Sequence, residues 1–174
     1  MPTIRFLLCT LVMISPVACT SVPTSTATED SSAAVDFLAP DQFTDVGGSR
    51  PPSPRSRDAY LANLRKFMIQ EAQRRLPPGE RVEIVVTDVD MAGDFEPWRP
   101  HAADVRILRD IYPPRIALRF RLLAADGTLL KEGERKLVDQ TYLMTSVTAR
   151  GDTDPLRYEK ALLGAWMQKE FEGK

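Results

Sequence analysis

The sequence has one histidine and two cysteines in 174 residues, too few ligands for a zinc finger or zinc ribbon and too few cysteines for a disulfide scaffold. It also lacks a glycine-rich phosphate loop, a His-Glu-x-x-His motif and a Gly-x-Ser-x-Gly elbow. The formal net charge of −1 argues against a general nucleic-acid binder. With 43% hydrophobic and 27% charged residues, the composition is that of one globular domain.

The N-terminal segment predicts a secretory signal peptide over residues 1–18. Arg5 precedes an apolar run at 6–14, which is far shorter than the ~20 residues that span a bilayer. Residues 19–34 are rich in Ser, Thr and Ala without apolar periodicity and predict a flexible tether. We expect a single globular domain over residues 35–174, and no transmembrane helix.

The sequence Pro-Val-Ala-Cys at 16–19 resembles the lipobox of bacterial lipoproteins. This resemblance implies that Cys19 is lipidated and becomes the new N-terminus, which would anchor the chain to a membrane. Thr20 stands where an aspartate would imply inner-membrane retention, so the expected location is the periplasmic side of the outer membrane. The alternative is ordinary cleavage near Cys19, which would release a soluble periplasmic protein.

The pattern of the domain predicts an α+β fold in two layers, with a small mixed or antiparallel sheet and two helices on one face. Strands are predicted at 35–38, 82–89 and 115–122, followed by the partner strand of a hairpin. The nearly continuous apolar run at 82–89 favours a central strand covered on both faces. Residues 138–147 fit either another strand or a turn-rich segment. The predicted element order is β-α-β-β-β-α.

Two helices are predicted from cap-plus-proline starts, one at Ser53-Pro54 and one at Asp154-Pro155. The first must end near Leu76, because two prolines follow. The second runs nearly to the C-terminus. The predicted core face of the first helix is Tyr60, Leu61, Leu64, Phe67, Met68 and Ala72, and its polar remainder is Arg57, Arg65, Lys66, Glu71, Arg74 and Arg75.

The hairpin permits a prediction of register. If Asp126 and Gly127 form a two-residue turn, the numbers of paired residues add to 253. That register places opposite charges across the two strands and leaves room for an aromatic ring beside a glycine. The predicted pairs are Arg121 with Glu132, Arg119 with Glu134, and Phe120 with Gly133.

Four carboxylates, Asp88, Asp90, Asp94 and Glu96, lie within nine residues. Hard cations bind such oxygens, but the spacing fails the EF-hand pattern, because Arg99 stands where the bidentate glutamate belongs. The favoured interpretation is a strand end and turn whose carboxylates accept backbone N–H groups or pair with arginine. They remain weak metal candidates, and we predict no cofactor.

Two segments, 94–100 and 110–115, each combine acid, arginine, aromatic and proline residues. Such loops suit contact with a protein partner, and the candidate contact residues are Trp98, Arg99, Tyr112 and Arg115. An equally weighted interpretation is that Trp98 and Tyr112 cover the core. His101, the one imidazole, would be the base of a hydrolase, but an exposed loop histidine is the favoured interpretation, and no catalytic residue is predicted.

The chain from residue 35 to 171 resembles the bacterial family known as domain of unknown function 3016. The matching segments lie at 43–45, 76–79, 87–93, 96–98, 110–115, 131–134 and 154–160. The resemblance implies an exported protein, often a lipoprotein, and it points to no particular activity, because none is established for the family. From the tether and the two loop segments we predict a non-enzymatic accessory of the cell envelope that binds a protein partner and no nucleic acid. The alternative is a periplasmic protein that binds a small ligand or divalent cation at residues 88–96.

Overall fold

The structure is a computed structural model that describes residues 32–99, 103–144 and 153–172. The signal peptide, Cys19, most of the tether and His101 lie outside the described residues. The elements in chain order are β1 (Ala33–Phe37), α1 (Pro54–Arg75), β2 (Arg81–Asp90), β3 (Asp94–Phe95), β4 (Arg106–Ile107), β5 (Arg115–Leu123), β6 (Leu129–Val138) and α2 (Arg157–Met167). A 3₁₀ turn (Pro40–Gln42) follows β1, and a π-helical turn (Gln168–Glu172) continues α2.

The main sheet has the strand order β1-β2-β5-β6, with β1 parallel to β2 and the other neighbours antiparallel. The predicted α+β fold and its element order are confirmed, and β3 and β4 add a small second sheet. β1 begins inside the predicted tether, because Ala33 and Ala34 pair with Val82 and Glu83. No helix in the described part of the chain has the length and apolarity needed to cross a membrane.

The core lies between the helices and one face of the sheet. Alternate side chains of β2 and β5 meet the apolar faces of α1 and α2, as period-2 strands over amphipathic helices require. Its buried members include Val82, Ile84, Val86, Ile116, Leu118, Phe120, Leu122, Leu61, Leu64, Met68, Ala72, Leu162, Leu163, Trp166 and Met167. The predicted central strand β2 is central, but its predicted cover on both faces is wrong, because Glu83, Val85 and Thr87 are only half-buried.

Helix α1 begins as predicted, with the Ser53 hydroxyl accepting a hydrogen bond from the Ser56 N–H at 3.1 Å. Tyr60 and Phe67 of the predicted core face are half-buried. Glu71 does not belong to the exposed remainder. It is buried and pairs with Arg74 and with Arg75, whose Nε lies 2.9 Å from the carboxylate. The helical pattern predicted an exposed position for Glu71, whereas its ion pairs with the two arginines allow the carboxylate to be buried.

Helix α2 begins at Arg157, three residues after the predicted cap. The Asp154 carboxylate still accepts the Leu156 N–H at 2.8 Å, so Asp154 closes the turn before the helix. Between β6 and α2, residues 139–144 form turns, and 145–147 lie outside the described residues.

The predicted hairpin register is confirmed for Arg121 with Glu132, Arg119 with Glu134, and Phe120 with Gly133. A bulge shifts the pairing by one residue beyond Leu122, next to the turn. The Arg121 guanidinium lies 3.9 Å from Glu132 and closer, 3.1 Å, to Glu83 of β2. The charges of the hairpin therefore extend across three strands.

Candidate functional site

The candidate site lies in the excursion between β2 and β5, which we call the tip and define as residues 91–99 and 103–115. The segment 94–100 is interpreted from sequence as a loop, whereas its first two residues form β3, which pairs with β4 through Asp94 and Ile107. Gly93 turns the chain at φ +80°, and its N–H donates to the Tyr112 carbonyl at 3.0 Å. A Cβ there would meet the Ile107 carbonyl at 2.7 Å, so the tip requires glycine at this bend.

Glu96 holds the two halves of the tip together. Its side chain is fully buried, and Oε2 lies 2.7 Å from Arg99 Nε and 3.0 Å from Arg109 Nη2. Oε1 lies 3.5 Å from the Tyr112 hydroxyl. Charged partners offset the cost of burying an ionised carboxylate, and those of Glu96 come from turns on both sides of the β3–β4 pair. The carboxylate thus fixes the turn at 96–99 against the turn at 109–112.

Large apolar side chains emerge from these same turns. Trp98 is 69% exposed and lies two residues from Glu96, while Ile111 is 62% exposed and lies between Arg109 and Tyr112. Val105, at 53%, is exposed in the connection that precedes β4. Single exposed hydrophobic residues are common, but three large ones within one short excursion make the tip rich in exposed apolar side chains.

A second set of contacts secures the tip to the preceding loop. Arg106 donates to the Asp45 carboxylate at 2.8 Å and to the carbonyls of Gly47 and Gly93. Its guanidinium also stacks over the Phe95 ring, 4.7 Å from the centroid. These bonds link the base of the tip to the loop that leads into α1.

A charged cleft of about 220 Å³ lies at the base of the tip. Its ion pairs are Asp90 with Arg115 at 2.9 Å and Asp94 with Arg50 at 2.6 Å. Burial raises the pKa of Asp90 above its usual range, against the lowering effect of Arg115. The cleft therefore carries cations and anions in matched pairs rather than a field of one sign.

The four carboxylates suggested by the sequence face different partners. Asp88 accepts hydrogen bonds from the N–H and hydroxyl of Thr44, both at 2.8 Å, while Asp90, Asp94 and Glu96 bind arginines. Among residues 32–99, 103–144 and 153–172, no three His, Cys, Asp or Glu side chains are placed to hold a metal ion. A cation could use these carboxylates only after they release their present partners.

The structure brings the four candidate contact residues into the tip, but in different environments. Trp98 and Arg115 are exposed, and so is Arg99, which also pairs with Glu96. Tyr112 is half-buried, with its hydroxyl toward Glu96, so it supports the tip from within. Trp98 is exposed, as expected of a residue that contacts a partner. Tyr112 covers the interior, as the alternative interpretation predicts.

Sequence reasoning missed the bracing role of Glu96 and the exposure of Val105 and Ile111. The Glu-x-x-Arg spacing of Glu96 and Arg99 is a local signal of an ion pair. No local signal links Glu96 to Arg109, because the bond depends on the fold of the excursion.

Comparison with known proteins gives one match. A family model described as a protein of unknown function, DUF3016, matches residues 31–169. No curated protein and no solved structure matches the chain.

Proposed function

This chain belongs to the DUF3016 family, whose description gives no function, and we propose from its site that it is a non-enzymatic accessory protein of the cell envelope. In this proposal the chain is exported, anchored through a lipid on Cys19 to the outer membrane, and binds a protein partner through the tip. The lipid would be its contact with the membrane, and the tip its contact with the partner.

The exposure of Trp98 on a braced turn carries the proposal. An aromatic ring left in water adds nothing to folding, yet the Glu96 contacts fix the turn that presents it. A rigid exposed tryptophan loses little conformational entropy on binding, which is the property of interface anchor residues. Ile111 extends the apolar area, and Arg99 and Arg115 supply charge around it, as in an interface with an apolar centre and a polar rim.

The first test is photo-crosslinking in living cells, with an aromatic photo-reactive residue, which keeps a ring at the anchor position, in place of Trp98 or, as control, in place of Lys66. Lys66 is exposed on α1 and does not belong to the tip. We expect one dominant envelope protein to be captured from position 98 and not from 66. Trp98→Ala should remove capture from a second photo-reactive position at Ile111. Equal capture from positions 98 and 66, or no specific capture from either tip position, would contradict the proposal.

A companion variant, Glu96→Gln, tests the brace. It removes the charge of the carboxylate that holds Arg99 and Arg109 while keeping its size. We expect faster amide exchange at 97–99 and 109–112 and weaker capture from position 98, with the core elements unchanged. Asp104→Asn, at an exposed position of the same excursion, is the matched control. If capture from position 98 persists although the amides of the tip exchange faster, partner binding does not depend on the Glu96 contacts.

The anchor is tested separately by Cys19→Ser. The lipid attaches to the thiol, so the serine variant should move from the membrane fraction to the soluble periplasmic fraction, whereas Cys9→Ser should behave as wild type. Labelled fatty acid should be incorporated only when Cys19 is present. A Cys19→Ser protein that stays with the membrane would overturn the anchoring proposal but leave the docking proposal standing.

A further inference from the structure

A groove of about 590 Å³ lies between the edge strand β6 and α2, far along the chain from the tip. Its floor is apolar and includes Leu137, Leu162 and Trp166. Its rim is basic, with Lys131, Arg135 and Lys169. Grooves with an apolar floor and charged rim between an edge strand and a helix suit extended peptides.

The backbone of β6 is open on the side away from β5. The Asp139 N–H donates to the Pro114 carbonyl at 3.4 Å, so alternate residues from 137 backward direct their backbone groups to β5. The intervening residues, Glu132, Glu134, Lys136 and Val138, direct theirs outward. No strand pairs with this edge within the described residues. One outward carbonyl, that of Glu134, accepts a bond from Arg135 Nη1 at 2.9 Å.

The groove has an excess of positive charge. Lys131 and Arg135 both pair with Glu170, at 2.7 and 2.8 Å. Lys169 is exposed and has no ion pair with any described residue, so three cations face the groove against one carboxylate. The side chains of Glu132, Glu134 and Lys136 alternate onto the opposite face of β6. A second copy of β6 would bring its own Lys131 and Arg135 to the groove side, so like charges disfavour it as the occupant. An acidic segment would be complementary.

We propose that β6 and the groove bind an extended, acidic segment of a partner protein, which adds to the sheet as a fifth strand. Its backbone would pair with the outward groups at Glu132, Lys136 and Val138. Its groove-facing side chains would alternate between aliphatic, over Leu137 and Trp166, and acidic, toward Lys131 and Lys169. The interaction is separate from the tip and does not depend on it.

The probe is a peptide with blocked termini, Thr-Val-Thr-Glu-Thr-Val-Thr-Glu-Thr, titrated into the whole mature chain and followed by fluorescence anisotropy. We expect saturable binding, weakened about tenfold or more when lysine replaces both glutamates. Proline in place of the central threonine should weaken binding similarly, because it removes an N–H that the added strand must donate.

The protein variant Lys169→Glu should weaken binding of the acidic peptide and strengthen binding of the lysine peptide. Lys66→Glu, an exposed charge reversal on α1, should change neither. No saturable binding, or binding insensitive to the proline or to the Lys169 reversal, overturns the proposal. So does a concentration-dependent dimer abolished by the reversal without peptide binding, or capture of anionic lipid vesicles in place of the peptide.

Discussion

Replacing Glu170 with glutamine is expected to lower the free energy of unfolding by about 2–3 kcal/mol at pH 7. Glu170 lies on the turn after α2 and clamps it to β6. Its carboxylate accepts from Arg135 Nε and Nη2 at 2.9 and 2.8 Å and from Trp166 Nε1 at 3.2 Å, and it pairs with Lys131 at 2.7 Å. Burial acts to raise its pKa, but Arg135 and Lys131 outweigh that effect and lower the pKa from 4.5 to about 2.

The stabilisation by Glu170 should depend on pH and should weaken in acid. Because the folded pKa lies below the unfolded value, the stabilisation is fully present above pH 4.5 and is lost as pH falls toward about 2. Denaturant unfolding at several pH values should therefore show wild type and Glu170→Gln converging at the acid end of that window. Glu172→Gln, at an exposed carboxylate on the same turn, should cost less than about 1 kcal/mol. A pH-independent difference would mean that packing, not charge, makes the clamp.

The clamp also covers the aromatic part of the core. Phe120, Trp166 and Phe171 meet edge to face with ring centroids 5.6–6.2 Å apart, and the Arg135 guanidinium lies 5.1 Å above the Phe120 ring. Gly133 permits this arrangement, since a Cβ there would lie 2.6 Å from Arg135 Nη1. The loss of Glu170 should therefore also be visible in tryptophan fluorescence.

Glu159→Ala is expected to destabilise the fold by about 2–4 kcal/mol, from a lost hydrogen bond and a cavity. Glu159 is fully buried in α2, and its Oε1 accepts the Ala92 N–H at 2.7 Å, at the bend where β2 enters the tip. Alanine would leave that N–H without an acceptor in the interior. The melting temperature and amide exchange at Ala92 measure the effect.

Glu159→Gln is the informative contrast, because it keeps the acceptor for Ala92 but cannot ionise. Burial raises the pKa of Glu159, although Arg106 and Arg157 favour its charged form, and no described residue bonds to Oε2. With the folded pKa above the unfolded value, wild type should lose stability as pH rises above 4.5 through the folded pKa. Glu159→Gln should lack this decline and match or exceed wild type at pH 8. Parallel pH profiles for both proteins would show that Glu159 is ionised with little cost.

Much of the architecture followed from local patterns. The apolar spacing of α1, its serine cap and its terminating prolines act within a few residues, and so do the Asp126-Gly127 turn and the hairpin register. These features could be predicted because each depends on near neighbours in the chain.

The buried acids could not be predicted in the same way. Periodicity treats glutamate as a surface residue, yet Glu71, Glu96 and Glu159 are buried with arginines or a backbone donor. The donor to Glu159 lies 67 positions away in the sequence, so its position depends on the finished fold. The braced tip was missed for this reason: its two-residue strands and the Glu96–Arg109 pair leave no periodic signal.

Because β1 pairs in parallel with β2, both strands begin at the same end of the sheet. β1 begins at Ala33, which pairs with Val82 near the start of β2, so the described chain enters at that end of the sheet. The tip begins after Asp90, at the other end of β2. Ten residues of strand cover ~33 Å, so β2 acts as a spacer between entry point and tip. If the N-terminus is held at a membrane by a flexible tether, this spacer would keep Trp98 about a strand's length from the entry point, at the opposite end of the sheet.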